Sequence, residues 1–205
     1  HVQNARGGPT PVLLGPNIAP ARSTPIHALL GLGAQIVGGV RSLWKEGQLA
    51  VEIRVLGRVD ALVDGRSLPL RGSKPRGVLA MLALRANRTV AADELIDGLW
   101  AEHPPASAAK NLQSHVSELR KALASDGGGA SIVTQGRGYE LRVAEEAVDA
   151  LRFEDLVEEA ARQPTGAGAN GLAGAALELW RGAPLADVAS EPFAAPEIGR
   201  LEELH

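Results

Sequence analysis

SAAKNLQSHVSELRKALA, residues 107–124, is the stretch on which the reading of the chain turns. Pro104 and Pro105 precede it, Ser107 supplies an N-cap, and Asp126-Gly127-Gly128-Gly129 stops it, so a helix is expected between. At about 100° per residue, Leu112, Val116, Leu119 and Leu123 fall on one narrow stripe that must be buried. Lys110, Ser114, Ser117 and Lys121 lie opposite, with Gln113 and Arg120 on one flank and Asn111 and His115 on the other. A single acid, Glu118, interrupts this donor-rich surface. These side chains bond phosphate oxygens and base edges, so the face suits a DNA major groove. Taken alone, the helix is better explained by an ordinary solvated face; its neighbours reverse that balance.

Upstream, residues 93–100 form a second helix with Leu95, Ile96, Leu99 and Trp100 turned inward, joined to the first stretch by the short loop 101–106. Before it, Ser73 caps a helix with Pro75 in its opening turn. Its residues 78–84 are apolar nearly all round, as a central buried helix requires, and Asn87-Arg88 ends it. Two helices and a tight loop before a donor-rich third make a helix-turn-helix arrangement. Further upstream, Val51, Ile53 and Val55 alternate with Glu52 and Arg54, the period of a half-buried strand, and Gly57 interrupts it. Residues 59–63 and 67–70 about Asp64-Gly65 read as a hairpin, so a small antiparallel sheet opens the domain.

Downstream, residues 131–134 and 139–143 are two strands around Gln135-Gly136-Arg137-Gly138. A two-stranded ribbon directly after such a helix is a wing, and Arg137 at its tip is placed to meet a minor groove or phosphate. The plainer alternative is a hairpin with an exposed arginine.

Residues 51–143 resemble the winged-helix DNA-binding domain of OmpR and PhoB type, in the form found in the Streptomyces antibiotic regulatory proteins, the SARP activators. The resemblance is carried by VEIRVLGRVDAL, RGVLAMLALRANRTVAADELIDGLW, PPASAAKNLQSHVSELRKAL and IVTQGRGYEL, in the right order. LRFEDLVEEAAR and ALELWRGAPLADVASEPFAAPEIGRLEEL are similar to the start of the helical bacterial transcriptional activation domain, itself similar to tetratricopeptide repeats. The implied fold is α+β: an N-terminal small sheet, three helices and a C-terminal wing hairpin, then an all-α, TPR-like part over residues 148–205 that stops before the domain is complete.

The resemblance implies a sequence-specific activator that binds direct repeats in double-stranded DNA as protomers, possible homodimers on DNA, and recruits RNA polymerase, here for secondary-metabolite genes. Lys110, Asn111, Gln113, Ser114, Ser117, Arg120 and Lys121 would line the major groove. Lys74, Arg76, Gln135, Arg137 and Tyr139 would make the wing and backbone contacts. Asp93, Glu94 and Asp97 on the second helix are acids that phosphate repels, so they are expected to point away from the duplex, and the resemblance implies that Asp97, Glu102 and His103 face the polymerase; that the carboxylates merely cap the second helix and keep it soluble explains them equally well. One departure is Ala91, where relatives carry a Ser-like cap before the second helix, at a cost of about 1 kcal/mol.

The remaining sequence narrows the alternatives. The chain has 205 residues and no cysteine, which excludes disulfides, thiolate metal sites and cysteine nucleophiles and fits a reducing compartment. No apolar run of about 18 residues is present, so no membrane association and a cytoplasmic location are expected. The only methionine is Met81, so the sequence reads as a fragment. Lys plus Arg against Asp plus Glu is 13 to 10 over residues 51–143 and 4 to 13 over 144–205, which is compatible with nucleic-acid binding by one part and another task for its neighbour, though so small a basic excess is common in unrelated proteins. Residues 1–50 are rich in Gly and Pro and read as an extension or linker; Gly31-Leu32-Gly33 lacks the strand and third glycine of a dinucleotide loop. No GxxxxGK[ST], HExxH or GxSxG occurs, the five histidines are scattered, and Glu145-Glu146 and Glu158-Glu159 read as solvated pairs, so neither an enzyme nor a metal or cofactor site is expected. The rival to a DNA-binding activator is a protein-interaction module, a winged helix that no longer reads DNA. The polar face of Lys110, Ser114, Ser117 and Lys121 argues against it, because protein-binding surfaces favour aromatics and apolar residues there.

Overall fold

A computed structural model describes residues 51–124 and 129–205. The extension at 1–50, and residues 126–128 of the expected helix stop, lie outside the described residues. The alternating Val51–Arg54 strand (β1) pairs antiparallel with Asp60–Val63 (β2), which turns back into the short Arg66–Ser67 strand (β3). Asp64 and Gly65 have φ of 52° and 75°, the left-handed pair that a two-residue hairpin needs and that Asp-Gly supplies at least cost.

Three helices follow: Ser73–Ala83 (α1), Ala92–Trp100 (α2) and Ala108–Leu123 (α3). Seven consecutive residues of α1, Gly77 to Ala83, are buried, which is why their apolar character runs round the helix instead of along one face. The α3 stripe Leu112, Val116, Leu119 and Leu123 is buried as the spacing requires, each residue at 1% exposure.

Several local expectations need correction. α1 ends at Ala83, earlier than Asn87-Arg88, and its N-cap is Gly72, not Ser73. Asn87 instead takes a left-handed φ of 62°, and its side chain bonds both backbone groups of Val143: Nδ2 donates to the carbonyl oxygen at 2.9 Å, and Val143 N–H donates to Oδ1 at 3.1 Å. Ser107 does occupy the N-cap of α3, but its hydroxyl does not cap; it accepts from Asn111 Nδ2 at 3.2 Å. Ala91 is the N-cap of α2 and offers no side-chain bond, yet the N–H of Ala92 donates to the Arg137 carbonyl oxygen at 3.0 Å, so the wing backbone satisfies one donor at that helix start.

The wing is also more than a ribbon. Ala130–Gln135 (β5) and Gly138–Val143 (β6) pair from Ala130↔Val143 to Gln135↔Gly138, and the two-residue strand Val90–Ala91 (β4) adds to the other edge of β6, giving the order β4-β6-β5. The approach at that edge is close: a Cβ on Gly138 would sit 2.3 Å from the Val90 carbonyl oxygen, so only glycine permits the pairing.

A short 3-10 turn, Glu145–Ala147, leads into Asp149–Arg162 (α4), which packs against Ala167–Leu177 (α5); after an irregular stretch comes Ala194–Leu204 (α6). These helices share one hydrophobic core with the winged helix: Phe153, Leu185, Val188 and Leu201 belong to the same cluster as Ile53, Leu79 and Leu119. The backbone joins the two parts as well. Val148 bridges Ile53 in parallel, Leu185 N–H donates to Val55 O at 2.9 Å, and Phe193 N–H donates to Gly98 O at 3.1 Å.

Candidate nucleic-acid interface

α3 is held from behind by its leucine stripe, so its outer face is fixed in orientation. Lys110, Gln113, Ser114, Ser117 and Lys121 are all exposed on it, and their side chains form no hydrogen bond or ion pair with other described residues. Asn111 is half-buried and occupied with Ser107, and His115 is half-buried on the same flank, where burial lowers its basicity. The tip of the wing hairpin carries exposed Gln135, Gly136 and Arg137, with Gly136 in the left-handed region at φ 55°. Between α3 and the wing lies a cleft lined by Gln113, Thr134, Arg137 and Tyr139, with Ala92 and Asp93 at the start of α2 also in its lining. Free donors from two elements thus meet on one side of the molecule, a helix face beside a protruding loop.

Three of the cations expected at this surface are engaged elsewhere. Lys74, at the start of α1, donates to Glu191 Oε2 at 2.6 Å and to the Leu99 carbonyl oxygen, and lies 5.2 Å from the centroid of Trp100. Arg76 pairs with Asp187 at 2.9 Å, and the same carboxylate accepts the N–H of Val59 at 2.8 Å. Both side chains therefore point into the joint with the helical part, where half-buried charge is neutralised, and neither is among the free donors beside α3. Arg120 donates from Nε to the Ile132 carbonyl oxygen at 2.7 Å and from its terminal nitrogen to Thr134 Oγ1 at 2.8 Å, on the wing. The sequence held no sign of these partners, which lie up to 117 residues away.

The acids of α2 divide between two surfaces. Asp93 lines the helix–wing cleft, contrary to the expectation that all three point away. Glu94 and Asp97 line a separate groove with Met81, Phe193 and Pro196, where Glu94 is paired with Arg85. Glu102 and His103 are exposed in the loop before α3. Among the described residues no cluster of His, Cys, Asp or Glu could hold a metal ion, and no helix is long and apolar enough to cross a membrane.

A buried-stripe helix that follows a helix and a tight loop, beside a three-stranded wing, defines the class of winged-helix DNA-binding regulators of transcription. The family described as "Transcriptional regulatory protein, C terminal" matches residues 68–141, and "Bacterial transcriptional activator domain" matches residues 148–205. The regulatory protein AfsR of Streptomyces coelicolor is 41% identical over 159 residues, which cover 75% of this chain and 15% of that protein. The regulatory protein DnrI of Streptomyces peucetius is 38% identical over 164 residues, covering 75% of this chain and 60% of DnrI. The solved structure of Mycobacterium tuberculosis EmbR in complex with a low-affinity phosphopeptide superposes with a TM-score of 0.68 at 34% identity, over 76% of this chain and 42% of that one. The chain belongs to the SARP family of transcriptional activators, in which an OmpR/PhoB-type winged helix is followed by a bacterial transcriptional activator domain. The relatives are named as regulatory or transcriptional regulatory proteins, and this chain spans from 15% to 60% of the length of those it matches.

Proposed function

We propose that this chain binds direct-repeat promoter sites in double-stranded DNA and recruits RNA polymerase to genes of secondary metabolism, with α3 in the major groove and the wing hairpin against the adjacent minor groove. The observation that carries this is an exposed α3 face of donors without side-chain partners among the described residues, one of which, Gln113, shares a cleft with Arg137 of the wing. Gln113, Ser114 and Ser117 read bases, because neutral amide and hydroxyl groups discriminate base edges where a lysine mainly senses charge. Lys110 and Lys121 hold phosphates, and Gln135, Arg137 and Tyr139 serve the wing side. Selection of bound duplexes from a random pool tests this: enrichment of a tandem motif is expected, and recovery of no motif would favour the protein-interaction module instead.

Replacing Lys110 and Lys121 with Ala is expected to weaken binding to all duplexes alike and to flatten the slope of log K against log salt by about one unit per lost phosphate contact. Titrations at several salt concentrations check it; an unchanged slope places both lysines off the DNA.

The polymerase-facing surface is proposed to be the groove of Glu94 and Asp97 together with Glu102 and His103. Glu94 and Asp97 lie outside the lining of the helix–wing cleft and, with Glu102, offer a basic partner a surface that DNA would not take. Asp97→Ala combined with Glu102→Ala should leave duplex affinity nearly unchanged and reduce transcription in a purified system with polymerase. Transcription that falls only in step with DNA binding would move the contact surface to the acidic part after residue 144.

A further inference from the structure

Arg120 sits on the recognition face by spacing, yet its guanidinium is turned across to the wing. Nε donates to the main-chain oxygen of Ile132, the terminal nitrogen donates to Thr134 Oγ1, and the guanidinium carbon lies 5.9 Å from the centre of the Tyr139 ring. Ile132 and Thr134 lie on β5, Tyr139 on β6, and Thr134 and Tyr139 are cross-strand partners. One planar fork from α3 therefore grips both strands of the hairpin, close to the turn that carries Arg137. We infer that Arg120 is a positioning residue that fixes the distance between α3 and the wing tip, and so sets which spacing of major-groove and minor-groove contacts a duplex must offer.

The chemistry suits this task. Two directed donors on a rigid plane define an angle as well as a distance, which a lysine ammonium cannot do. The free donors of the surface, Lys110, Gln113 and Ser117 on the helix and Arg137 on the loop, belong to separate elements; the Ala92 N–H ties the tip to the start of α2 through the Arg137 carbonyl oxygen, and Arg120 supplies the side-chain hydrogen bonds from α3 to β5. Without the fork the tip, still tied to α2, would be freer to shift against α3, and the entropy of reordering it would be lost on binding DNA. This inference rests on the DNA-binding reading for its consequence, but the latch itself is a property of the free protein.

The test uses Arg120→Ala, Arg120→Lys and Thr134→Val. Because the chain has no native cysteine, spin labels on cysteines introduced at Glu118 and Arg137 report the helix-to-wing distance without DNA. The distribution is expected to be narrow in the parent and broad in Arg120→Ala and in Arg120→Lys, with Thr134→Val between. On the unlabelled proteins, affinity for the selected duplex should fall about tenfold, roughly the value of one base pair. The salt slope should be unchanged, and protection should be lost at the wing-side minor groove while it is kept on the α3 side. Thr134→Val leaves the arginine charge intact and should shift affinity in the same direction. An unbroadened distribution together with a slope reduced by about one unit would overturn the inference and make Arg120 a phosphate contact. Full rescue by lysine would do the same. If the parent binds no duplex, the DNA-binding reading fails while the distance measurement still decides the latch.

Discussion

Asp149→Ala is expected to destabilise the protein by about 3 to 5 kcal/mol, the effect of breaking a buried ion pair from one side. The Asp149 side chain is 3% exposed. Its Oδ1 accepts the N–H of Val55 at 2.7 Å, and its Oδ2 accepts the N–H of Leu56 at 3.1 Å and a guanidinium N–H of Arg181 at 2.7 Å. Removing the carboxylate strands two buried amides and takes the charge partner from Arg181 at the point where β1, α4 and the segment before α6 meet. Burial pushes the carboxyl above its usual range, against the pull of Arg181 and the two amides. A raised value in the folded state means that the folded form holds the proton more tightly than the unfolded chain does. Compared with Asp149→Asn, the parent should therefore lose stability as pH rises from the ordinary carboxylate range through the raised value, and level off above it. Urea unfolding across that range measures both effects. A loss under about 1 kcal/mol for the alanine variant would show that the joint is held by the shared core alone.

Leu119→Ala should cost about 2 to 5 kcal/mol, enough to unfold a marginal domain. Leu119 is 1% exposed in the middle of the α3 stripe, between Val116 and Leu123, and the donors on the opposite face are aimed only as well as this stripe is seated. DNA affinity should fall with the folded fraction, and the base preference of the molecules that remain folded should be unchanged. Thermal melting followed by circular dichroism checks this. Cooperative, parent-like melting would mean that the stripe is not what anchors the helix.

The two variants probe levels of organisation that were unequally legible. Leu112, Val116, Leu119 and Leu123 could be read directly, because a helix of fixed period turns a sequence spacing into a face, and burying that face fixes which donors point outward. The alternation of β1 and the Asp64-Gly65 turn were legible for the same local reason. β4 was not: two residues have no periodicity, and Val90–Ala91 is a strand only because glycine at 138 lets β6 approach. Asp149 looked like one more acid in an acidic segment, and its role depends on two amide donors more than 90 residues away.

By itself, then, the sequence determined the helix-turn-helix order, the buried stripe, and which side chains of α3 face away from that stripe, since these follow from short-range periodicity and backbone preference. The tertiary structure alone decided where the long cations go. Lys74, Arg76 and Arg120 each had the length and charge to serve as DNA contacts, but Glu191, Asp187 and the wing carbonyl of Ile132 lie within their reach only once the chain is folded. A flexible charged side chain takes the partner that neutralises and orders it best, and that partner is set by the packing of distant segments, which no local pattern encodes.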